Sequence, residues 1–271
     1  MGAQGAAPAG TEGIGVARMP VTGWWQELAD LVLAARCAGC GAPRGGLCGR
    51  CRGGLAELRA RRAGPLPGLP RAYAAGAYSD ELRALLLAHK ERGALRLARP
   101  LGQALAVAVR AVLAGPGSAA RAGTEAGAAE SGPVALVPVP SARRTVAARG
   151  HDPVRRLARA AAAGLSRAGA PARASAVLHQ RRPVADQAGL TRHERHRNLA
   201  GALGVAPGAA RLLGGAGAVV VVDDLLTTGA SLTEAVRALG DAGVRCAGAA
   251  VVALAPRPGT APWDGGGGHR A

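Results

Sequence analysis

The chain has 271 residues, of which 49% are hydrophobic, and its formal net charge is +17. Aromatic residues make up only 2% and Phe is absent, which leaves almost no candidates for a platform that stacks nucleobases. Every Lys or Arg other than Lys90 is Arg, spread among Ala and Gly, which indicates a solvated basic surface, with a specific polyanion site as the alternative. No run of 18 apolar residues is present to span a membrane.

The N-terminal part is predicted to hold a small metal module. Residues 1–23 lack the basic start and apolar block of a signal peptide and predict a disordered leader. Apolar residues at helical spacing predict a helix at 24–36, within a module that ends near residue 63. Two CxxC pairs favour a structural zinc site, with iron–sulfur ligation and a redox dithiol as alternatives. Metal-bound thiolates indicate a reducing, cytoplasmic location. The predicted ligands are Cys37, Cys40, Cys48 and Cys51.

After a joint rich in Pro and Gly at 64–71, residues 70–256 are predicted to form one α/β domain. Its strands are expected at 72–78, 134–140, 218–224 and 246–255, and its helices at 80–90, 99–113, 152–165 and 231–243. Low-complexity residues 114–133 predict a disordered insertion, 180–198 a charged loop and 257–271 a disordered tail. Uninterrupted apolar strands that alternate with helices predict a parallel sheet covered on both faces.

The strongest motif is VVVVDDLLTTGAS at 219–231. Asp223 and Asp224 follow four β-branched residues, at the carboxyl end of a buried strand, where open α/β sheets bind their ligands. The next residues predict a tight turn whose N–H groups lie at a helix start and cradle a phosphate. An ordinary strand, turn and helix with two solvated aspartates is the alternative. The predicted phosphate-binding residues are Thr227, Thr228, Gly229, Ala230 and Ser231.

This motif resembles the ribose-phosphate site of type I phosphoribosyltransferases. The resemblance implies that the acidic pair meets ribose hydroxyls, directly or near Mg²⁺, and that the turn holds the 5′-phosphate of a phosphoribosyl pyrophosphate-type ligand. Enzymes of this group that act on 6-oxopurines carry an Asp where this chain has Thr227, so a hypoxanthine or guanine enzyme is disfavoured. Asp224 is left as the candidate catalytic residue.

Further segments are similar to the ComF family, which combines this fold with an N-terminal four-cysteine module. LVPVPSARR at 136–144 and the following Arg-Gly resemble a pyrophosphate loop, which implies ligand contacts for Ser141, Arg143 and Arg149. Lys90 ends a Leu-rich helix as in that family, which implies that its ammonium meets the pyrophosphate. The alternative is a solvated cation stabilised by the helix dipole. A looser match that would cover the base comprises Arg181, Gln187, Leu190, Arg195 and Asn198.

One departure concerns residues 151–153, where the family usually has an aromatic residue, Asn and Gln. The chain has His151, then Asp152 and Pro153, which are predicted to cap and begin a helix. The resemblances together imply a type I phosphoribosyltransferase fold with a small zinc-ribbon-like module.

Two functions follow from the resemblance. One is transfer of phosphoribose between pyrophosphate and a base. The other is a non-catalytic sensor or adaptor that engages DNA-uptake machinery or DNA through the zinc module and the basic surface.

Overall fold

The structure is a computed structural model that describes residues 36–43, 45–66, 68–115, 132–184 and 191–256. The predicted leader, the tail, residues 24–35 of the first predicted helix and nearly all of the predicted insertion lie outside the described residues.

Helices and strands alternate through the described residues. The helices are α1 (Gly49–Ala56), α2 (Asp80–Glu91), α3 (Ala98–Ala114), α4 (Arg143–Arg149), α5 (Pro153–Arg167), α6 (Arg192–Leu199), α7 (Ala209–Gly214) and α8 (Ala230–Asp241), with a 3₁₀ turn at Leu95–Leu97. The strands are β1 (Arg61–Arg62), β2 (Ala72–Ala77), β3 (Val134–Pro138), β4 (Ala172–Ala174), β5 (Leu178–Gln180), β6 (Leu203–Val205), β7 (Ala218–Leu226) and β8 (Gly248–Leu254).

Six strands form the main sheet in the order β1-β2-β8-β7-β3-β4. Only β1 is antiparallel to its neighbour, so the predicted parallel α/β sheet is confirmed. Val222 of β7 pairs with Pro138 of β3, and Asp223 pairs with Val251 of β8. This register brings the carboxyl ends of the central strands to one edge of the sheet, which is where the acidic pair lies. Strands β5 and β6 form a separate antiparallel pair.

Two buried clusters cover the two faces of the sheet, with α2, α3 and α5 on one face and α8 with α7 on the other. Helices α3 and α5 approach so closely that a Cβ on Gly102 would lie 2.5 Å from Ala160 Cβ, so this crossing requires glycine. The stretch Leu95–Ala114 is long and apolar enough to cross a membrane, with a mean hydropathy of 1.3. Half of that stretch is buried inside the fold, because α3 packs against the sheet and α5.

Besides short elements not predicted from the sequence, such as β4, β6 and α7, the structure differs from the sequence prediction in three segments. The loop predicted before Asp152 contains α4, which buries none of its residues and therefore has no amphipathic pattern to detect. The charged loop predicted at 180–198 contains α6, and its capping box is formed by Thr191 and Glu194. The last strand begins at Gly248, two residues after Cys246. The predicted cap at Asp152 is confirmed, since its Oδ1 accepts a hydrogen bond from Arg155 N at 3.0 Å.

Candidate functional site

The acidic pair forms the centre of the candidate site. Asp224 is 6% exposed, and its Oδ2 receives the Lys90 ammonium at 2.8 Å. Asp223 turns its Oδ1 back to accept a hydrogen bond from the Asp224 N–H at 2.8 Å. Lys90 comes from the last turn of α2, so the sheet brings together a cation and a carboxylate 134 residues apart. The structure thus pairs Lys90 with Asp224, and its contact with a ligand stays a prediction.

Burial and neighbouring charges shift the pKa values of these three groups in different directions. Burial and the neighbouring Asp224 carboxylate raise the pKa of Asp223 well above its ordinary value. Burial acts in the same direction on Asp224, but the Lys90 ammonium outweighs it and lowers the pKa of Asp224. Burial alone would lower the pKa of Lys90, whereas the charge of Asp224 raises it. Lys90 therefore favours the ionised form of Asp224, while burial favours the protonated form of Asp223.

The predicted phosphate turn follows directly after β7. Gly229 has φ +84°, a left-handed conformation that favours glycine, and it precedes the first residue of α8. Thr228 Oγ1 accepts a hydrogen bond from the Ala230 N–H at 3.4 Å, and Ser231 lies in the first turn of α8. A helix N-terminus with a glycine before it offers N–H donors and a favourable dipole to an anion. The turn therefore has the form that the sequence predicts for a phosphate site.

The joint at 64–71 packs onto this turn. Leu66 is buried, and a Cβ on Gly229 would lie 3.0 Å from Leu66 Cδ2. Leu69 is buried in the same cluster. The joint is thus a packed cover for the back of the turn as well as a connection.

The antiparallel pair β5–β6 and helix α6 form a second element beside the turn, which we call the hood (residues 178–184 and 191–205). Arg195 Nη1 donates to Thr227 Oγ1 at 3.5 Å. Leu199 and Ala202 pack against Ala230 at the start of α8. Of the looser family match, Gln187 and Leu190 lie outside the described residues. The hood is thereby fixed to the phosphate turn at two places.

A buried carboxylate further along α8 anchors the hood. Glu234 is 4% exposed and its Oε1 accepts a hydrogen bond from Leu203 N at 3.0 Å. Both of its oxygens also receive Arg237, each at 2.7 Å. Burial acts to raise the pKa of Glu234, but Arg237 and the N–H groups outweigh it and lower it. The same helix therefore begins at the phosphate turn and ties down the hood.

The predicted pyrophosphate loop lies beside β7, because Val139 N donates to Val222 O at 2.9 Å. Ser141 is half-buried there, and Arg143 is exposed at the first residue of α4. Arg149 takes a different place, since its guanidinium binds both oxygens of Glu91 at 2.5 and 2.8 Å. The structure therefore holds Ser141 and Arg143 near the strand ends and commits Arg149 to the end of α2.

The four cysteines of the N-terminal module converge on one point. Their sulfur atoms all lie within 4.8 Å of one another, and the Sγ atoms of Cys40 and Cys48 are 3.6 Å apart. Four thiolates around Zn²⁺ at about 2.3 Å have sulfur–sulfur edges of about 3.8 Å. The cluster could therefore hold a structural zinc ion, as the spacing predicts.

Backbone N–H groups favour the thiolate form of Cys37 and Cys40, two of the four candidate ligands. Burial acts to raise the pKa of Cys37, but N–H groups, first that of Cys48, outweigh it and lower it to about 6. The N–H of Ala42 is the first cause that lowers the pKa of Cys40. Because the thiolate is the metal ligand, these donors favour metal binding at neutral pH.

Three contributors were missed by the sequence interpretation: Leu66, Glu234 and Glu91. Leu66 lies in a Pro/Gly-rich segment, where its apolar side chain was the available signal. Glu234 lies next to the apolar residues of an amphipathic helix, which is an unusual place for a carboxylate without a partner. Nothing in the local sequence distinguishes Glu91 from a solvated helix-end residue, because its partner Arg149 comes from a distant segment.

Comparison with known proteins supports the assignment of this region. The family model of the phosphoribosyl transferase domain matches residues 201–266. The match includes β6, the acidic strand β7, the phosphate turn with α8, and β8. No curated protein matched the chain. The chain is therefore similar to the phosphoribosyl transferase domain over the segment that holds the acidic pair and the turn.

Proposed function

We propose that this protein is of the ComF type and binds a 5-phosphoribosyl-1-pyrophosphate-type ligand with Mg²⁺, with transfer of the phosphoribosyl group to a base as its candidate activity. The observation that carries the proposal is the Lys90–Asp224 pair beside a left-handed Gly229 turn at the start of α8. A ribose would lie over the carboxylates and its 5′-phosphate over the turn. The match to the phosphoribosyl transferase domain supports the same ligand class.

Different residues would bind the different parts of the ligand. The N–H groups and hydroxyls of the turn would hold the 5′-phosphate, and Asp223 and Asp224 would accept hydrogen bonds from the ribose hydroxyls. Ser141 and Arg143 follow the strand end that pairs with β7 and would contact the pyrophosphate. In transfer, the C1′–O bond to pyrophosphate breaks, a bond from C1′ to a base nitrogen forms, and the proton on that nitrogen leaves to solvent. Positive groups near the departing pyrophosphate stabilise the charge that develops on it.

The donor set fits Mg²⁺ as the companion ion. Two carboxylates at one strand end provide the oxygen ligands that Mg²⁺ prefers, and the Lys90 ammonium at 2.8 Å indicates that the pair attracts a cation. When bound, Mg²⁺ would neutralise part of the pyrophosphate charge.

Isothermal titration with 5-phosphoribosyl-1-pyrophosphate and Mg²⁺ tests the proposal. We expect Mg²⁺-dependent binding to the unmodified chain and none to the Asp223→Asn/Asp224→Asn double variant. Asp241→Asn, at the far end of helix α8, is the matched control and should bind normally. Undiminished binding by the double variant would show that the site is elsewhere.

A second candidate is binding without transfer, as in a sensor or adaptor. Two observations favour it: the Thr227 hydroxyl is engaged by Arg195, and Asp224 is engaged by Lys90. Neither is therefore an unhindered proton acceptor, and loss of general acid–base catalysis slows a reaction about 10²- to 10⁴-fold. A screen of bases for pyrophosphate release separates the candidates. Any turnover should favour adenine or orotate, and robust turnover with hypoxanthine or guanine would contradict our interpretation of Thr227.

A further inference from the structure

His151 lies in an arrangement that the proposed ligand site does not explain. It is only 8% exposed, in the short connection between α4 and α5. Its Nδ1 lies 3.0 Å from the carbonyl oxygen of Arg149, and its Nε2 lies 3.1 Å from that of His89. Both ring nitrogens therefore face groups that can only accept a hydrogen bond.

The number of donors decides which form of the ring fits. A neutral imidazole carries one N–H, so one of the two carbonyl oxygens would face a nitrogen lone pair at hydrogen-bond distance. The imidazolium has two N–H groups and satisfies both carbonyls. We propose that His151 is a positioning residue for Lys90, and that it acts in its doubly protonated form by tying the end of α2 to the junction between α4 and α5.

The contacts around Lys90 explain why such a tie matters. His89, whose carbonyl accepts from His151, precedes Lys90 in the chain. Glu91, which binds Arg149, follows it. Both neighbours of Lys90 are thus fastened to the same segment, and Lys90 itself reaches Asp224 at 2.8 Å. Loosening this segment would release the ammonium from the acidic pair.

A second histidine makes the charge assignment specific. His89 is 1% exposed, its ring lies 5.9 Å from that of His151, and its Nε2 faces Pro153 O at 3.4 Å. Burial lowers the pKa of His89, and the charge of His151 contributes in the same direction. Burial therefore favours the neutral form of His89, whereas the two carbonyl acceptors at His151 favour its doubly protonated form.

Other charged groups surround the junction. On the outer side, an open cleft lined by His151 also contains one carboxylate and several guanidinium groups. The titratable and charged groups around the junction are His89, Lys90 and Glu91 from α2, Arg149 from α4, Asp152, Arg155, Arg156 and Arg159 from α5 and its cap, and Arg96 and Arg99 near the start of α3.

Nitrogen NMR of the full chain tests the protonation directly, without any ligand. In protein labelled with ¹⁵N-histidine, the His151 signals are identified by their loss in His151→Phe. We expect both ring nitrogens to be protonated at the acidic end of a titration from pH 5.5 to 8.5. A proton should then leave in one step that also shifts the signals of His89, whose carbonyl oxygen accepts from His151. A single neutral tautomer across the whole range would overturn the proposal.

The second measurement is the affinity for 5-phosphoribosyl-1-pyrophosphate as a function of pH, and it alone rests on the proposed function. His151→Phe keeps an aromatic ring and removes both donors, so its profile should lack the step of the unmodified chain. All other titratable groups are common to both proteins, so the ratio of their affinities isolates His151. We expect the affinity of the unmodified chain divided by that of His151→Phe to fall about tenfold as His151 loses its proton, which is the size of one charge-assisted hydrogen bond.

A control and the remaining outcomes complete the test. Asp241→Asn, at an exposed carboxylate at the far end of α8, should follow the unmodified profile. Parallel profiles for His151→Phe and the unmodified chain would overturn the positioning role. If the ligand binds to neither protein at any pH, the proposed function fails, while the NMR titration still decides the protonation of His151.

Discussion

The two sites of this protein are assembled in opposite ways. The four cysteines belong to the single segment 37–51, and two local turns bring their sulfurs within 4.8 Å of one another. Lys90 and Asp224 are 134 residues apart and meet at 2.8 Å only because β7 and α2 are both in place. A local site of this kind depends on its metal for stability, since so short a segment buries little apolar surface. A non-local site depends on the core of the domain.

The two sites nevertheless touch through α2. Leu55 of the cysteine module joins the same buried cluster as Leu85 and Leu86 of α2. A Cβ on Gly39 would lie 3.4 Å from Leu85 Cδ2, so the cysteine turn packs tightly on that helix. Lys90 is at the other end of α2. The comparison can therefore be tested by breaking each site and observing whether the other survives.

Loss of the metal should have the largest effect. We expect one zinc per chain by metal analysis, and we expect Cys37→Ser or Cys51→Ser to lose it. Zinc binding contributes on the order of 10 kcal/mol in small modules, so residues 36–56 should then unfold and lose protection in hydrogen exchange. Strands β7 and β8 should keep their protection. Cys246→Ser, outside the cluster, is the control and should retain zinc. Iron with visible absorbance, or no metal at all, would contradict the assignment.

Separating the Lys90–Asp224 pair should have the next largest effect. Asp224→Asn leaves a partly buried ammonium without its partner and should destabilise the fold by about 3 kcal/mol, measured by urea unfolding. The lysine side chain is 34% exposed, which keeps the loss at the lower end for a buried pair. Lys90→Met/Asp224→Asn should recover part of the loss, because no charge is then left unpaired. Zinc content should stay at one per chain.

The same pair predicts a dependence on pH. The Lys90 ammonium lowers the folded pKa of Asp224 against the upward effect of burial, so the pair stabilises the fold above the unfolded pKa of Asp224. That contribution is lost as the pH falls through the folded value. Asp224→Asn should therefore lose less stability on acidification than the unmodified chain. Equal losses in the two proteins would show that the pair does not contribute.

Glu234 tests how far the non-local site depends on its hood. Glu234→Gln removes the charge that holds Arg237 and weakens the bond from Leu203 N, so we expect about 2 kcal/mol of destabilisation. Because the folded pKa of Glu234 is lowered, this difference should shrink as the pH falls below the usual range of Glu. Asp241→Asn breaks only the exposed partner of Arg237 and should change stability by less than about 0.5 kcal/mol. Equal effects would remove the anchoring role of Glu234.

The smallest expected effect concerns the turn itself. Gly229→Ala should cost about 1 to 2 kcal/mol, because the left-handed backbone is strained and the new methyl group meets Leu66 at 3.0 Å. Gly208→Ala is the matched control, since φ there is +76° and a Cβ would meet nothing within 4 Å. The difference between the two variants measures the contact with Leu66. In a Leu66→Ala background, the cost of Gly229→Ala should fall to that of Gly208→Ala. Equal costs of the two glycine substitutions in the unmodified chain would mean that Leu66 does not press on the turn.

Chain-local features were predicted well because the residues that determine them are neighbours. Four β-branched residues before Asp223 and Asp224 define β7, and the Thr-Thr-Gly segment defines the turn. Asp152 and Pro153 predicted the start of α5 correctly. Helix α4 was missed because it is held in place by Arg149 and Glu91 and buries none of its own residues.

The sequence by itself determined the parallel α/β sheet, the cysteine cluster and the carboxylates at the end of β7. The sheet follows from apolar strands that alternate with helices, and the other two depend on residue spacing within one segment. Only the tertiary structure decided what those groups contact. It placed Lys90 on Asp224, Arg149 on Glu91, and the carbonyl oxygens of Arg149 and His89 on His151. The physical reason is that a charged or polar side chain gains most from a partner where water is excluded. Which groups are buried together depends on how the helices and strands pack.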